Sequence, residues 1–220
     1  MAPRGAMNKR MIFIAGAHNT GKTTLAEYLK KCGFLHVETS EIVRNKHQEL
    51  APDIEFHQWA SEQGHGFDGF IMESVLKARA TVENSNGELK DVVITGNRQL
   101  TGINYVCKQV PPLANTDHLV VFLNANERIL FERQKQRKDR PCSLTFEEFR
   151  ERFLGYDQAM GIEKIKEAAH CIVYTDKPKE MVLSEFVGFL REKGYSLPLV
   201  ESILSNPETE LSNHKERLSL

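Results

Sequence analysis

Residues Met11, Ile12, Phe13, Ile14 and Ala15 form an unbroken apolar run that stops at Gly16. The next eight residues, Gly16, Ala17, His18, Asn19, Thr20, Gly21, Lys22 and Thr23, fit G-x-x-x-x-G-K-[ST] at every fixed position. Leu25, Ala26 and Leu29 follow at helical spacing, so the order is buried strand, glycine-bracketed loop, helix. Gly16 and Gly21 permit backbone angles and a close approach that a side chain would block. Successive N–H groups through Thr24, together with the positive end of the helix, then make a cradle for phosphate. Lys22 is expected on β- and γ-phosphate oxygens, Thr23 on Mg²⁺ and Thr24 at the α-phosphate, with His18 lending only its backbone N–H.

The rest of the chain repeats the alternation. Phe34 to Val37, Val92 to Thr95, His118 to Leu123 and Cys171 to Tyr174 read as four more buried strands. Helices are expected at Gly21–Lys31, at Glu41–Leu50 with Ser40 or Thr39 as cap, and at Phe67–Val82. Further helices are expected at Glu127–Lys138, at Phe146–Ala159 behind a Thr145/Glu148 capping box, and at Lys179–Lys193. Asn84 to Gly87 reads as a turn. The predicted fold is three-layer α/β: a parallel five-stranded sheet with helices on both faces and a short helical lid at about 128–145. Residues 10–204 are expected to form that domain, between a flexible 1–9 and a polar tail at 205–220.

Composition excludes several classes. The 220 residues carry 29 Lys+Arg against 30 Asp+Glu, a net charge of -1, where a protein that coats nucleic acid has a basic excess. No apolar run approaches the ~18 residues of a membrane span, and the polar residues up to Lys9 are no secretory signal. Cys32, Cys107, Cys142 and Cys171 lack C-x-x-C spacing and read as free thiols of a reducing, cytoplasmic setting. The sequence sets no oligomeric state.

The loop alone binds ATP or GTP. No N/T-K-x-D motif follows an apolar strand at the place guanine selection would need one. Arg128, Arg133, Arg137 and Arg140 cluster after the fourth strand. Arg133 and Arg137 are expected four apart on one helical face, and Arg140 in the lid turn, closing over the migrating phosphoryl group. Phe56, His57, Trp59, Phe67 and Phe70 are candidate pocket aromatics, with Trp59 placed in the pocket rather than the core.

Residues 10–193 resemble the P-loop nucleotide kinases, especially the branch of dephospho-CoA kinase and deoxynucleoside monophosphate kinases. The resemblance rests on the loop with Thr24, on Gly33 through Arg44, on Val93 through Arg98, on the arginines with Thr145 to Phe149, and on Gly161 through Ala168. It implies that Ser40, Glu41 and Arg44 lie beside a phosphoryl acceptor, that Glu41 orients the acceptor hydroxyl, and that Arg98 grips an anionic group. Relatives usually carry Asp at the position of Glu41 and often an acid where this chain has Thr95 and Gly96. The implied activity is transfer of the γ-phosphoryl of ATP, with Mg²⁺, to a small nucleotide, nucleoside or related metabolite. A hydroxyl on a polynucleotide or modified base is the alternative acceptor, less favoured on charge. A non-catalytic nucleotide-binding regulator is the third reading.

Overall fold

A computed structural model describes residues 11–62, 74, 91–109, 118–137, 143–195 and 197. The expected helix Phe67–Val82, apart from Ser74, the turn at Asn84–Gly87, Arg140 and both termini lie outside the described residues.

Five parallel strands form one sheet: β1 (Met11–Gly16), β2 (Leu35–Glu38), β3 (Val92–Thr95), β4 (His118–Asn124) and β5 (Cys171–Tyr174), in the order β2-β3-β1-β4-β5. Their apolar residues make strands because both faces are covered, so alternation of polar and apolar positions is lost. The register pairs Phe13 with Ile94 and with Val120, and Glu38 with Thr95. Met11, Phe13, Ala15, Val37, Ile94, Val120 and Phe122 therefore share one face. There they pack with Ile103 and Val106 of α4 (Leu100–Gln109) and with Ile162 and Ile165 of α8 (Ile162–Glu167). The opposite face carries Ile12, Ile14, His36, Glu38, Val93 and Thr95 and meets α1 (Lys22–Lys31).

Among the described residues this unit also has α2 (Thr39–Leu50), α3 (Phe56–Glu62), α5 (Glu127–Gln136), α6 (Phe146–Phe149) and α7 (Gly155–Ala159), and Ser74 is helical. A π-helical segment, Arg150–Leu154, joins α6 and α7. The chain divides into two compact units, Met1–Asp176 and Lys177–Leu220. In the second, α9 (Lys179–Glu192) buries Val182, Leu183, Phe186, Val187 and Leu190 at helical spacing, and Lys177 pairs with Glu185.

Several boundaries differ from the sequence reading for physical reasons. The second strand runs one residue further, to Glu38, and α2 starts at Thr39, because Glu38 itself caps the helix by accepting from the Ser40 amide. The helix at 127 stops at Gln136, and Arg137 is its extended C-cap. The single helix expected at 146–159 is broken by the π turn, though its capping box is present. Helices α3, α4 and α8 are additional to those expected from the sequence. Cys32, Cys107 and Cys171 are free thiols. Among the described residues no helix is long and apolar enough to cross a membrane.

Candidate active site

β1 is the central strand, and its carboxyl end turns into the loop because Gly16 adopts φ 143°. A Cβ there would stand 2.4 Å from the Leu123 carbonyl oxygen and 2.9 Å from Thr20 Oγ1, so only glycine lets β1 pass this close to β4. Gly21 caps α1 in the left-handed region, and the first amides of α1 have no helical carbonyl to bond. Thr20 is buried and bonds the Ala17 carbonyl at 2.9 Å, fixing the loop from within. Lys22 Nζ donates to the Gly16 and Ala17 carbonyls at 2.8 and 2.7 Å. Burial, then the nearby Arg98 charge, lowers its pKa to about 7, with Glu38 opposing them. Thr23 and Thr24 are exposed at the start of α1.

Two anchors hold this loop, and neither was legible in the motif. The first is Asn19, at φ 63°, a conformation asparagine tolerates better than most residues. Its side-chain amide donates to the Leu130 carbonyl at 3.2 Å and to Gln134 Oε1 at 2.9 Å. Arg133 donates to the Asn19 carbonyl and Thr175 Oγ1, and contacts the Thr175 carbonyl; Arg137 donates to Asn19 Oδ1. The two arginines therefore grip the loop and the end of β5. Arg137 does so from the C-cap rather than from a shared helical face. Arg128 lies over the Phe146 ring at 4.6 Å.

The second anchor is Asp157 of α7, 1% exposed. Its Oδ2 accepts from the His18 amide at 2.8 Å and from His18 Nδ1 at 3.0 Å, and its Oδ1 contacts Arg98. Arg98 Nη2 lies 2.9 Å from His18 Nε2, and its guanidinium stacks over Tyr156. Burial, then Arg98, then Lys22, hold the His18 pKa down at about 2. The ring is thus neutral, donating through Nδ1 to Asp157 and accepting at Nε2 from Arg98. His18 therefore does more than lend its amide to the loop: that amide is committed to Asp157. No spacing rule reaches from residue 18 to residue 157. The π turn, which places Asp157, leaves no signature in sequence.

On the neighbouring strands, Glu38 ends β2 with its carboxylate between Thr95 of β3 and Ser40 of α2. It accepts from the Thr95 hydroxyl at 2.6 Å and from the Ser40 hydroxyl at 2.8 Å. Burial pushes its pKa up, but the hydrogen bonds from Thr95 and Ser40 outweigh that and hold it below the ordinary glutamate range. A Cβ on Gly96 would stand 2.5 Å from both Glu38 Oε1 and Thr39 Oγ1. Glycine at 96 thus lets the β2 and β3 ends close on each other. Glu41 is exposed in the first turn of α2, and Arg44 is exposed one turn on, where its charge is felt by His18 and Arg98. Trp59 is 3% exposed and packs its ring 5.1 Å from His47 and 6.3 Å from Phe56, so it is core, not pocket wall. Phe67, Phe70 and the His57 side chain lie outside the described residues.

Residues 12–155 match the AAA domain family. The chain belongs to it. No curated protein matches the chain. Among solved structures, this AAA domain resembles shikimate kinase from Acinetobacter baumannii, solved with shikimate. That match has TM-score 0.56 and 18% identity, over 84% of this chain and 95% of that one. Shikimate kinase from Bacteroides thetaiotaomicron matches with TM-score 0.53 and 17% identity, over 83% and 98%. A sugar kinase from Janibacter matches with TM-score 0.51 and 16% identity, over 83% and 95%. At this identity the likeness is one of fold: the AAA domain has the five-stranded parallel P-loop architecture that these kinases share.

Proposed function

We propose that this AAA domain protein is an ATP- and Mg²⁺-dependent phosphotransferase that moves a γ-phosphoryl group to a small nucleotide, nucleoside or related metabolite in the cytoplasm. The observation that carries the reading is Lys22 held on the Gly16 and Ala17 carbonyls at the end of β1, with Arg98, just after β3, reaching His18 of the same loop and Glu38 ending β2 beside Thr95. One cation belongs to the donor loop; a carboxylate and a second cation stand on the neighbouring strands, where an acceptor would bind.

The loop amides and Lys22 hold the triphosphate, and the lysine exchanges two carbonyl partners for phosphate oxygens that favour its charged form. Mg²⁺, were it bound with the nucleotide, would supply neutralisation of the negative charge on the transferring phosphoryl group. Thr23 is the residue that would hold it. It is an exposed residue next to Lys22 at the start of α1, and its hydroxyl is an oxygen donor of the kind Mg²⁺ takes. Glu38, kept anionic, orients the acceptor hydroxyl and takes its proton as the phosphoryl arrives. Ser40 and Arg44 line the same end of β2, and Arg98, fixed by Asp157, meets the acceptor's anionic group. Arg133 and Arg137 hold the loop in register, with Arg140 assigned to lid closure.

The test is ADP release with ATP·Mg²⁺ over a panel of nucleoside monophosphates, nucleosides, dephospho-CoA, shikimate and simple sugars, with Lys22→Ala as control. Turnover on one acceptor that is lost in K22A supports the reading. Absence of turnover on every acceptor, with no ATP binding, overturns it. Glu38→Gln is expected to lower kcat about 100-fold, whereas Glu41→Gln stays within about threefold of wild type. The reverse ranking moves the acceptor carboxylate to Glu41.

A further inference from the structure

His36, Thr95 and Glu38 form a polar chain on a sheet face otherwise apolar and covered by α1. Glu38 and Thr95 are register partners, and His36 lies two residues back on the same strand face. His36 Nε2 is 2.8 Å from Thr95 Oγ1, and Thr95 Oγ1 is 2.6 Å from Glu38 Oε2. At the far end His36 Nδ1 is 3.2 Å from Oε1 of Glu27, on α1. The His36 side chain is 8% exposed, and that of Glu27 48%.

Proton counting fixes the direction of this chain. A carboxylate only accepts, so the single hydroxyl proton of Thr95 goes to Glu38. Thr95 Oγ1 must then accept from His36, which places a proton on Nε2. The Nδ1 edge faces the Glu27 carboxylate of α1. The Thr95 hydroxyl proton and the His36 Nε2 proton therefore both point toward Glu38, and every step away from Glu38 leads toward solvent.

We infer that Thr95 and His36 are positioning residues for the Glu38 carboxylate, fixing its Oε2 and holding it as the anion that receives an acceptor hydroxyl. The inference rests on the phosphotransferase reading for its purpose, but the chain itself is a property of the protein alone. The charged groups that face Glu38 are Lys22 of the loop, Arg98 after β3 and His36 on its own strand; Glu27 of α1 faces His36. The lowered pKa of Glu38, with the Thr95 bond its largest lowering influence, agrees with the geometry.

The experiment titrates the Glu38 carboxyl by ¹³C NMR in the full-length chain without nucleotide, comparing wild type with Thr95→Ser, Thr95→Val, His36→Gln and His36→Leu. T95V keeps the shape and deletes the hydroxyl; H36Q keeps a donor near Nε2. The expected result is an upward shift of about one pH unit in T95V, a tenfold gain in proton affinity. A smaller rise is expected in H36L, and near-wild-type titration in T95S and H36Q. Unchanged titration in T95V and H36L overturns the inference and leaves the trio as mutually satisfied core polar groups. If T95V does not fold, H36L reads the same chain from its other end with the same two outcomes. In the turnover assay the acid limb of the kcat profile should move with the NMR value while KM for ATP stays fixed. A wild-type protein without turnover refutes the proposed function, and the NMR titration still decides this inference.

Discussion

Gly96 stands at φ 90°, and the place its Cβ would take is filled by Glu38 and Thr39 oxygens. Gly96→Ala therefore combines a left-handed backbone with a clash against two polar atoms. It is expected to cost about 3 kcal/mol. Gly33, at φ 94° with open space around it, bears the backbone penalty alone, and Gly33→Ala should cost about 1 kcal/mol. Urea unfolding of the two variants side by side separates clash from conformation. His18 sets a pH dependence of definite sign. Its folded pKa, about 2, lies below the ordinary 6.5, so the unfolded chain binds the extra proton between those values. The stability it contributes is complete above about pH 6.5 and falls on acidification toward pH 2. The slope is at most about 1.4 kcal/mol per pH unit, and less because the ring is partly exposed. His18→Asn, which keeps a donor for Asp157, should flatten that part of the stability–pH curve measured by denaturant titration.

At the scale of elements, the π turn at Arg150–Leu154 determines which side chains after it face inward. Leu154 is buried at its last position and Asp157 beyond it. Deleting Arg150 would restore a regular helix and rotate everything downstream by about 100°, withdrawing Asp157 from His18 and Arg98. The expected result is a loss of about 3 kcal/mol or more in urea unfolding, whereas Thr145→Ala, which removes only the capping box, should cost about 1 kcal/mol. The contrast shows what the sequence made legible. The strands β1, β3 and β4 could be read because each is built on an apolar run, and the loop because its glycines and Lys22 obey fixed spacing. Thr145 and Glu148 announced their cap for the same local reason. The partners of His18 and Asn19 could not be read, since Asp157, Leu130 and Gln134 reach them only after the chain has folded. The resemblance implies Glu41 as the acceptor carboxylate, and the proposal above assigns that role to Glu38, three residues earlier. The sequence does carry a physical signal at Glu38: it ends a strand whose alternate residue, His36, is also polar.

For the whole molecule, nucleotide binding and folding are linked. A ligand at 100 times its Kd adds about 2.7 kcal/mol to the stability of the state that binds it. ATP·Mg²⁺ should therefore raise the midpoint of thermal unfolding in wild type and leave Lys22→Ala unmoved, as a thermal-shift titration will read. The net charge of -1 makes the companion prediction that binding to a short oligonucleotide, measured by anisotropy, varies little with salt. A steep salt slope would instead support the polynucleotide acceptor. The crossing of β1 past β4 at Gly16 bears on how such assays are interpreted. Because the Leu123 oxygen occupies the room a methyl group would need, a saturation library sorted only for soluble protein will reject every replacement at position 16. The same sort will tolerate many at Thr23. Intolerance at the first glycine therefore reports on the architecture of the sheet, and substitutions that survive folding selection but abolish turnover are the ones that map the chemistry.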